Sequence, residues 1–543
     1  MLKVVGASWL QTRISTYILI VVALFGFGAI ILGEFGEFQV ENDGIYSATV
    51  SWNHKGGYRI DFWGQGNNLA DVQLNVARAY YKTSILETGW SIIEIETSSN
   101  YPDTVQAYAA GLLEGSLTWQ LIHHHWQNTV NSVCEKWANE CRKLMQFLRE
   151  NNAIIRKQAD LLAATDPFWH MVHLFYIQMD GLEAGWRFAV HRSRQTVEMD
   201  SEQFLWLAMA SDLPDLKQIL EDTEDSQQDY SKGMIFLKSL ARKGLDPLIA
   251  IGHATAAPYV KMLRLLKKYT FGYHMLPTSN MSVPGKTIVM SSYPGALSSH
   301  DEFYLIEGQN HELIIAGTPT ANYSWNFVNG KSNQLLMPSA IMAANRLATN
   351  GQNWFQNISL QKGASKARQW IIFEPRGRIV QLVEQSETVR AINISEQFAN
   401  AGAICVTGKI RLPEINVAVG DDDTDMTRDK LIESLQKNVT TAEHFRNLMR
   451  GYSHESTTEN KDQMQILSYR GDLEKVALPF GVIDAKIVLA DVSGVESFEA
   501  FSGPSTLGSR KPFRWSETFP NILHIGHPNT FNFDSVTPLW VWN

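Results

Sequence analysis

Alternating apolar and polar residues predict strands at the start of the chain and throughout its second half. Residues 46–52 and 58–63 alternate on either side of a Lys-Gly-Gly turn, which predicts a hairpin, and residues 89–97 alternate in the same way. From residue 286 onward, short alternating segments such as KTIVMSSYPG, HELIIAGT and KIVLADVSG recur between turn residues. These segments predict a β-rich second half.

The intervening chain has helical periodicity. Apolar residues recur at three- and four-residue steps in VQAYAAGLLEGSLTWQLIHHHWQNTV and FWHMVHLFYIQMDGLEAGW, so residues 103–245 are predicted to be mainly helical. Further helices are predicted at 338–347 and 429–451. A helical portion followed by a β-rich portion favours an α+β fold of stacked sheet and helix layers. The acidic stretch EDTEDSQQDY separates a portion at 34–230 from a core at 231–543.

A hairpin and a helix are predicted directly after that acidic stretch. Residues 234–240 form the first strand, Arg242-Lys243-Gly244 the turn, and residues 247–253 the second strand. Residues 260–269 alternate apolar and basic residues at helical spacing, and the basic positions are interpreted as a solvated helix face. The Gly-His-Ala-Thr segment at 252–255 ends the second strand, a common place for catalytic residues.

The N-terminus resembles a targeting segment. Lys3 and Arg13 precede an apolar run at residues 17–32, which is typical of a secretory signal peptide or a signal anchor over residues 1–33. The run is slightly shorter than the ~20 residues of a comfortable membrane span, so both alternatives stay open. Either one places the rest of the chain in the secretory lumen or outside the cell. Membrane contact is expected only through this segment.

Composition narrows the possible partners and indicates the compartment. The chain of 543 residues is 44% hydrophobic and carries a net charge of −9, which argues against a nucleic-acid partner. Acceptor triplets for N-linked glycans all lie beyond residue 275 and predict a glycoprotein. They begin at Asn280, Asn322, Asn357, Asn393 and Asn438.

Three cysteines fit an oxidising compartment. Cys134 and Cys141 are predicted to form a disulfide, with two free thiols as the alternative. Cys405 lies in an apolar run and is predicted to be a core residue without an activating neighbour.

Motifs for metals and cofactors are weak or missing. Residues 123–125 are three consecutive histidines, which point about 100° apart on a helix and cannot all face one ion. The acidic run at 421–425 lacks the glycine and glutamate of a calcium loop. The sequence contains no G-x-S-x-G, P-loop or Rossmann motif. We therefore expect no metal and no cofactor.

Several ordered blocks together resemble the phospholipase B-like family, most closely its insect branch, from about residue 45 to the end. The blocks include QAYAAGLLEGSLT, WHMVHLFYIQMDGLEAG, SSYPG, YRGDL, PFRWS and GHPNTFNFD. The resemblance implies a four-layer αββα sandwich of the N-terminal-nucleophile hydrolase type. It also implies a glycosylated precursor in the secretory pathway that is lysosomal or secreted.

The expected chemistry of the family is hydrolysis of an acyl ester or amide bond in a lipid-like substrate. A cut before a cysteine frees its α-amino group, which then serves as the base for the thiol, and an oxyanion hole stabilises the intermediate. Matching the family's lysine to Lys238 places Gly233 at the nucleophile position and Met234 at the following serine. Glycine has no side chain to attack with, and Ser231 is the nearest hydroxyl that could replace it.

Other family positions are partly kept. His253 and Thr255 match the family's His-x-Thr-Trp, whereas Ala256 replaces its tryptophan. Arg368 stands where the family has asparagine before Gln-Trp, and Arg470 in YRGDL is retained. We therefore take His253, Thr255 and Arg470 as candidate catalytic residues.

Two hypotheses follow. The chain is either a phospholipase B-like hydrolase with a displaced nucleophile or a catalytically inactive secreted or lysosomal glycoprotein. The inactive form would act by binding a partner or a ligand, for which a lipid-like or acylated small molecule is the candidate.

Overall fold

The computed structural model describes most of the chain beyond residue 43. The described residues are 44–53, 55, 57–63, 69–213, 233–320, 334–359, 367–385, 388–409, 411, 423–452 and 461–542. The predicted signal or anchor, the acidic stretch at 221–230, Ser231 and Asn322 lie outside them. Within these ranges, the helices are too short or too polar to cross a membrane.

The described residues form eighteen strands. They are β1 Gly44–Asn53, β2 Gly57–Trp63, β3 Ala77–Thr83, β4 Trp90–Thr97, β5 Met234–Leu240, β6 Leu248–Pro258, β7 Arg264–Thr270, β8 Thr287–Ser292, β9 Phe303–Glu307, β10 Glu312–Pro319, β11 Arg368–Glu374, β12 Ile379–Gln385, β13 Val389–Asn393, β14 Ala403–Val406, β15 Phe480–Asp491, β16 Gly494–Ser502, β17 Phe513–Arg514 and β18 Thr530–Phe531.

The α-helices lie mainly between β4 and β5 and in the last third of the chain. They are α1 Ile85–Thr88, α2 Asp103–Leu117, α3 Trp119–Trp126, α4 Ser132–Cys134, α5 Ala138–Leu162, α6 Pro167–Arg192, α7 Ser201–Met209, α8 Met337–Leu347, α9 Gly351–Ser359, α10 Ser395–Ala401, α11 Asp423–Leu435, α12 Ala442–Met449, α13 Lys461–Leu467 and α14 Trp515–Thr518.

Two large sheets contain most of the strands. The larger has eleven strands in the order β13-β12-β11-β10-β9-β8-β7-β4-β3-β1-β2, and the smaller has five in the order β14-β5-β6-β15-β16. Strand β4 pairs with β7 in parallel, whereas the other pairings are antiparallel. Because β4 and β7 flank the helical portion in sequence, the eleven-stranded sheet joins both portions of the chain.

Three hydrophobic clusters show how these elements pack. Side chains from both sheets share one cluster, for example Leu266 and Ile371 of the larger sheet with Ile251 of the smaller. A second cluster joins the larger sheet to α2, α6 and α8. A third joins the smaller sheet to α12, where Phe236 and Phe445 stack with ring centres 5.2 Å apart. The predicted α+β class is confirmed.

Helices α2 and α6 cross at glycines. A β-carbon at Gly111 would lie 1.9 Å from the carbonyl oxygen of Gln178, and one at Gly185 would lie 2.2 Å from that of Leu112. Gly115 and Gly181 make equally close approaches. The two backbones therefore touch directly, and a side chain at any of these positions would separate the helices.

The helix predicted over residues 260–269 is wrong. Tyr259–Lys261 is a short 3-10 turn, and the following residues form strand β7. Both faces of β7 are buried, because Leu265 packs toward the helices and Leu266 toward the other sheet. With apolar residues on both faces, the period of two disappears and the spacing resembles that of a helix.

The basic residues of β7 are not solvated either. Arg264 and Lys267 are fully buried, and Lys268 is 8% exposed. Each faces a buried carboxylate, since Lys267 Nζ lies 2.5 Å from an oxygen of Glu114 and Lys268 Nζ lies 3.1 Å from one of Glu94. Buried charges need such partners, which a sequence pattern does not reveal.

Other predicted elements are confirmed with adjusted bounds. The first hairpin pairs Asn53 with Gly57 across its turn, and β5 starts and ends where predicted. Strand β6 continues five residues beyond the predicted end at His253, to Pro258. The helix predicted at 429–451 is two helices, α11 and α12, separated by a 3-10 turn at Gln436–Asn438.

The cysteines follow the predicted division. Cys134 and Cys141 form a disulfide. Cys405 is a free, half-buried thiol on β14 that packs against the cluster between the smaller sheet and its helices. Burial raises the pKa of the Cys405 thiol to about 12, so it is protonated and unreactive.

Candidate functional site

The inward-facing side chains of strands β5 and β6 change from apolar to polar at one end. Leu237 and Ile235 of β5 face the larger sheet, and the next position on that face is Gly233. Ile249 and Ile251 of β6 are followed on the same face by His253 and Thr255. Because alternate residues of a strand share one face, the hairpin delivers these polar positions between the two sheets.

Neighbouring strands change in the same way at the same end. Lys486 pairs in register with His253, and Asp484 pairs with Thr255. On the larger sheet, Thr318 of β10 pairs with Gln369 of β11. We call this region the polar end of the inter-sheet layer. Its members are Gly233, His253, Thr255, Arg264, Asp301, Thr318, Gln369, Asp484 and Lys486.

Gly233 leads into β5 and is buried. Its carbonyl oxygen accepts a hydrogen bond of 2.7 Å from Arg428. A β-carbon here would lie 2.9 Å from Oγ1 of Thr318 and 3.2 Å from the carbonyl oxygen of Ala254. A side chain at position 233 would therefore point at Thr318, whose hydroxyl already occupies part of that space.

His253 is buried and neutral. Its Nε2 lies 2.7 Å from the carbonyl oxygen of Gly317, so Nε2 must carry the proton and Nδ1 a lone pair. Nδ1 has no hydrogen-bond partner among the described residues. Burial, and after it the charge of Lys486, lowers the pKa of the imidazole to about 3. The ring stacks on Phe303 with centroids 5.6 Å apart.

A buried ion network lies beside His253. Lys486 Nζ contacts Oγ1 of Thr255 at 2.5 Å and Oδ1 of Asp484 at 2.7 Å. Arg264 pairs with both Asp484 and Asp301. Two cations thus face two carboxylates away from water, an arrangement that is costly to break on one side only.

The network fixes the protonation of its members. Burial alone would raise the pKa of Asp301, but Arg264 and then Lys486 hold it well below its usual range. Hydroxyls of Ser291 and Tyr293 each donate to Asp301 at 2.8 Å. Burial lowers the pKa of Lys486, opposed by Asp484. Held between carboxylates, Lys486 is a donor to Thr255, and that hydroxyl is an acceptor.

Gln369 closes the site on the larger sheet. Its Nε2 donates to Glu384 and to the carbonyl oxygen of Lys409, both at 2.5 Å. Its Oε1 is buried and meets no hydrogen-bond partner in the part of the chain that the structure describes. Gln369 is fully buried and Thr318 is 1% exposed, whereas Thr255 is half-buried.

The hydrogen-bond partners of Arg470 lie in a neighbouring loop junction. Arg470 donates to Asp472 and to the carbonyl oxygens of Ser505 and Lys511, at 3.0 and 2.6 Å. These contacts tie the loop at 502–512 to the start of β15, where Arg470 bridges to Gly481. All five residues belong to that loop junction, whereas His253 and Thr255 lie beside Gly233.

Arg368 forms two buried ion pairs. It pairs with Asp212 at 2.6 Å and with Glu302 at 3.1 Å. These pairs connect β11 to the segment that follows helix α7 and to the residue before β9.

The histidine run is spread over a helix surface. His125 stacks on Tyr293 with centroids 5.5 Å apart, whereas His123 faces Trp126 and Trp186. Across the described ranges, no group of three or more His, Cys, Asp or Glu side chains could hold a metal ion.

Six members of the site were not among the catalytic candidates proposed from the sequence: Arg264, Asp301, Thr318, Gln369, Asp484 and Lys486. The signal was available for two of them. In FGVIDAKIVLAD, which is strand β15, Asp484 and Lys486 are charged residues inside an apolar run. A run of that composition predicts a strand buried on both faces, and charged residues in it need partners.

Comparisons with known proteins find one matching family model and several similar chains. A family model described as Phospholipase B matches residues 77–404 and 422–538. Phospholipase B-like lamina ancestor of Drosophila melanogaster is 30% identical, with both chains covered in full. Phospholipase B-like 2 of Homo sapiens is 29% identical over 86% of each chain. Phospholipase B-like protein A of Dictyostelium discoideum is 25% identical over 89% of this chain and 92% of its own.

Proposed function

Because the chain belongs to the phospholipase B-like family, we propose that it keeps the family's binding site but not its nucleophilic chemistry. It would bind an acyl ester or amide of a lipid-like molecule at the polar end. The observation that carries this proposal is the geometry at Gly233, directly before β5. The residue has no side chain, and the hydroxyl of Thr318 lies close to the position that a β-carbon would occupy, which we call the vacated position.

The packing supports the proposed fold type. The two sheets share a hydrophobic cluster, and helices cover the other face of each. This arrangement supports an αββα sandwich of the N-terminal-nucleophile hydrolase type. In such a fold the nucleophile stands at the start of a central strand, and Gly233 directly precedes Met234, the first residue of β5.

Loss of the nucleophile leaves the remaining groups without a reaction to perform. His253 is neutral and its N–H is bonded to a backbone carbonyl, while Lys486 and Arg264 are paired with carboxylates. These groups can position a bound molecule. Gly233 itself has no side chain to act as a nucleophile. Without a cut before it, it also has no free α-amino group to act as a base.

Internal processing provides the first test. The mature protein is run on a reducing denaturing gel and its N-termini are sequenced. We expect an uncut chain around Gly233. Two fragments with a new N-terminus between residues 230 and 236 would contradict the proposal, and would point to Ser231 as the attacking group.

Turnover and binding provide the second test. Purified protein is incubated with fluorescent acyl esters and amides, and both binding and product release are followed. We expect saturable binding without release above background. Release that disappears in Thr255→Val but persists in a matched variant outside the polar end, Thr270→Val, would favour hydrolysis.

That second candidate function rests on one contact. Lys486 Nζ lies 2.5 Å from Oγ1 of Thr255, so a deprotonated lysine could activate this hydroxyl as a displaced nucleophile. Asp484 at 2.7 Å favours the protonated lysine instead. The rates of product release of His253→Ala and the parent protein are compared to test the role of the histidine. Equal rates would show that His253 takes no part in the hydrolysis.

We also propose that the protein is a glycoprotein of the secretory pathway, secreted or lysosomal. The N-terminal apolar run and the disulfide between Cys134 and Cys141 support this compartment. Asn280, Asn393 and Asn438 are exposed and could carry glycans. Removal of N-linked glycans should increase gel mobility, and an unchanged mobility would contradict the proposal.

A further inference from the structure

We propose that the polar end selects ligands by their hydrogen-bond donors, so that the ligand is a lipid-like secondary amide or another acyl compound with an N–H or O–H. Esters without a donor, carboxylates and phosphates would bind more weakly. This inference rests on the proposed binding function and narrows the class of ligand for the same site.

His253 presents the first unused acceptor. Its Nε2–H is committed to the carbonyl oxygen of Gly317 at 2.7 Å, so the lone pair is on Nδ1. The imidazole is 2% exposed, and Nδ1 has no partner within the described ranges. A buried acceptor of this kind is satisfied only by a donor that enters the site.

Gln369 presents the second unused acceptor. Its amide nitrogen lies between two acceptors, Glu384 Oε1 and the carbonyl oxygen of Lys409, which fixes the orientation of the amide group. Oε1 is therefore turned away from both, fully buried, with no partner from any residue that the structure describes.

The residues that carry the two acceptors are both neighbours of Thr318. His253 is bonded to the residue before Thr318, and Gln369 is the registered neighbour of Thr318 on β11. Neighbouring side chains in register have β-carbons about 5 Å apart. Thr318 itself faces Gly233, with its Oγ1 2.9 Å from the point that a β-carbon there would occupy.

The cations of the polar end are already committed. Arg264 pairs with Asp301 and Asp484, and Lys486 contacts Asp484 and Thr255. A ligand carboxylate or phosphate would have to displace one of these carboxylates. A neutral donor meets the two acceptors without disturbing the ion network.

A matched ligand series tests the inference. The probes are N-methyl dodecanamide, N,N-dimethyl dodecanamide, ethyl dodecanoate and dodecanoate, each titrated calorimetrically below its micelle concentration. The first two differ by the replacement of one N–H. We expect the secondary amide to bind about tenfold more tightly than the tertiary amide, and the ester and carboxylate to bind at least as weakly as the tertiary amide.

Substitutions assign the preference to its acceptors. Gln369→Met, of similar length, should reduce the ratio between the two amides to about threefold or less. Gln385→Met is the matched control, because Gln385 is also 1% exposed with an unused buried Oε1, on the adjacent strand. It follows Glu384 and so faces away from the polar end, and this variant should keep the full ratio.

The outcomes separate the inference from the proposed function. No binding of any probe would overturn the proposed binding function. Binding with equal affinity for both amides, or tightest binding of dodecanoate, would overturn the inference and leave the binding function standing. An amide preference that survives Gln369→Met in a folded variant would equally overturn the assignment to these acceptors.

Discussion

Two buried regions of this protein depend on glycine for opposite reasons. Where helices α2 and α6 cross, Gly111 allows a backbone of one helix to contact the carbonyl of Gln178 on the other. At the polar end, a β-carbon at Gly233 would meet chiefly the hydroxyl of Thr318. The first glycine is required by packing, whereas the second, under the proposed function, marks the loss of a chemical group. The same residue type therefore says nothing about function until its surroundings are known.

The two regions also differ in what holds them together. The helix crossing is held by apolar packing around close backbones. The polar end is held by paired charges and hydrogen bonds that lie between two sheets. Changes of charge should therefore affect mainly the polar end, and changes of side-chain volume should affect mainly the helix crossing.

Breaking the ion network should give the largest effect. Arg264→Met leaves Lys486 as the described cation within ion-pair distance of Asp301 and Asp484. We expect the free energy of unfolding to fall by about 3–5 kcal/mol, measured by urea denaturation. Arg59→Met, at an exposed pair with Asp61, is the control and should change it by less than ~1 kcal/mol. A loss of similar size in both variants would contradict the expectation that breaking a buried ion pair costs more stability than breaking an exposed one.

Overpacking the helix crossing should come next. In Gly111→Ala, the new β-carbon meets a backbone oxygen at 1.9 Å, and backbone cannot rotate away as a side chain can. We expect a loss of about 3 kcal/mol in the free energy of unfolding, without an effect on the ligand preference of the folded fraction. Unchanged stability would mean that α2 and α6 can move apart freely.

Acid should weaken the polar end. The pKa of His253 is about 3 in the folded protein and near 6.5 when unfolded, so between these values the unfolded chain binds more protons. Stability therefore falls as pH falls below about 6.5, by about 2 kcal/mol from this group at pH 5.

The matching measurement compares His253→Gln with the parent protein at pH 7 and pH 5. The variant should lose less stability on acidification. The remaining dependence should come partly from His300 and His527, whose pKa values burial also lowers to about 3. An equal loss in both proteins would remove His253 from the acid response.

The smallest effect sharpens the comparison between the two glycines. Gly233→Ala should cost only about 1 kcal/mol, because the close contact is with the Thr318 hydroxyl at 2.9 Å. Adding Thr318→Ala should recover part of that cost, since the double variant removes the contact. Purely additive effects in this double-mutant cycle would show that the hydroxyl does not occupy the vacated space.

The sequence allowed much of the fold to be predicted where one face of an element is apolar. Hairpin β1–β2 and strand β5 begin and end close to their predicted bounds, because their patterns have a clear period. Strand β7 was missed because it is buried on both faces, and its basic residues pair with carboxylates that are distant in sequence.

The site was predictable only in part for a related reason. His253 and Thr255 lie on a strand that the pattern identifies, and the family resemblance singles out Gly233. Thr318 and Gln369 become neighbours of these residues only through the stacking of two sheets. Local sequence contains no information about which strand of one sheet lies over which strand of the other.

The parallel pairing of β4 with β7 has a consequence for any cleavage of the chain. Seven residues of β4, from Trp90 to Glu96, pair with seven of β7, and the whole helical portion lies between them in sequence. A protease that cut the chain between the two strands would break one peptide bond, and the hydrogen bonds between β4 and β7 would still hold the two fragments together. The cleaved protein would elute as a single species in gel filtration, and the two fragments would separate only in a denaturant.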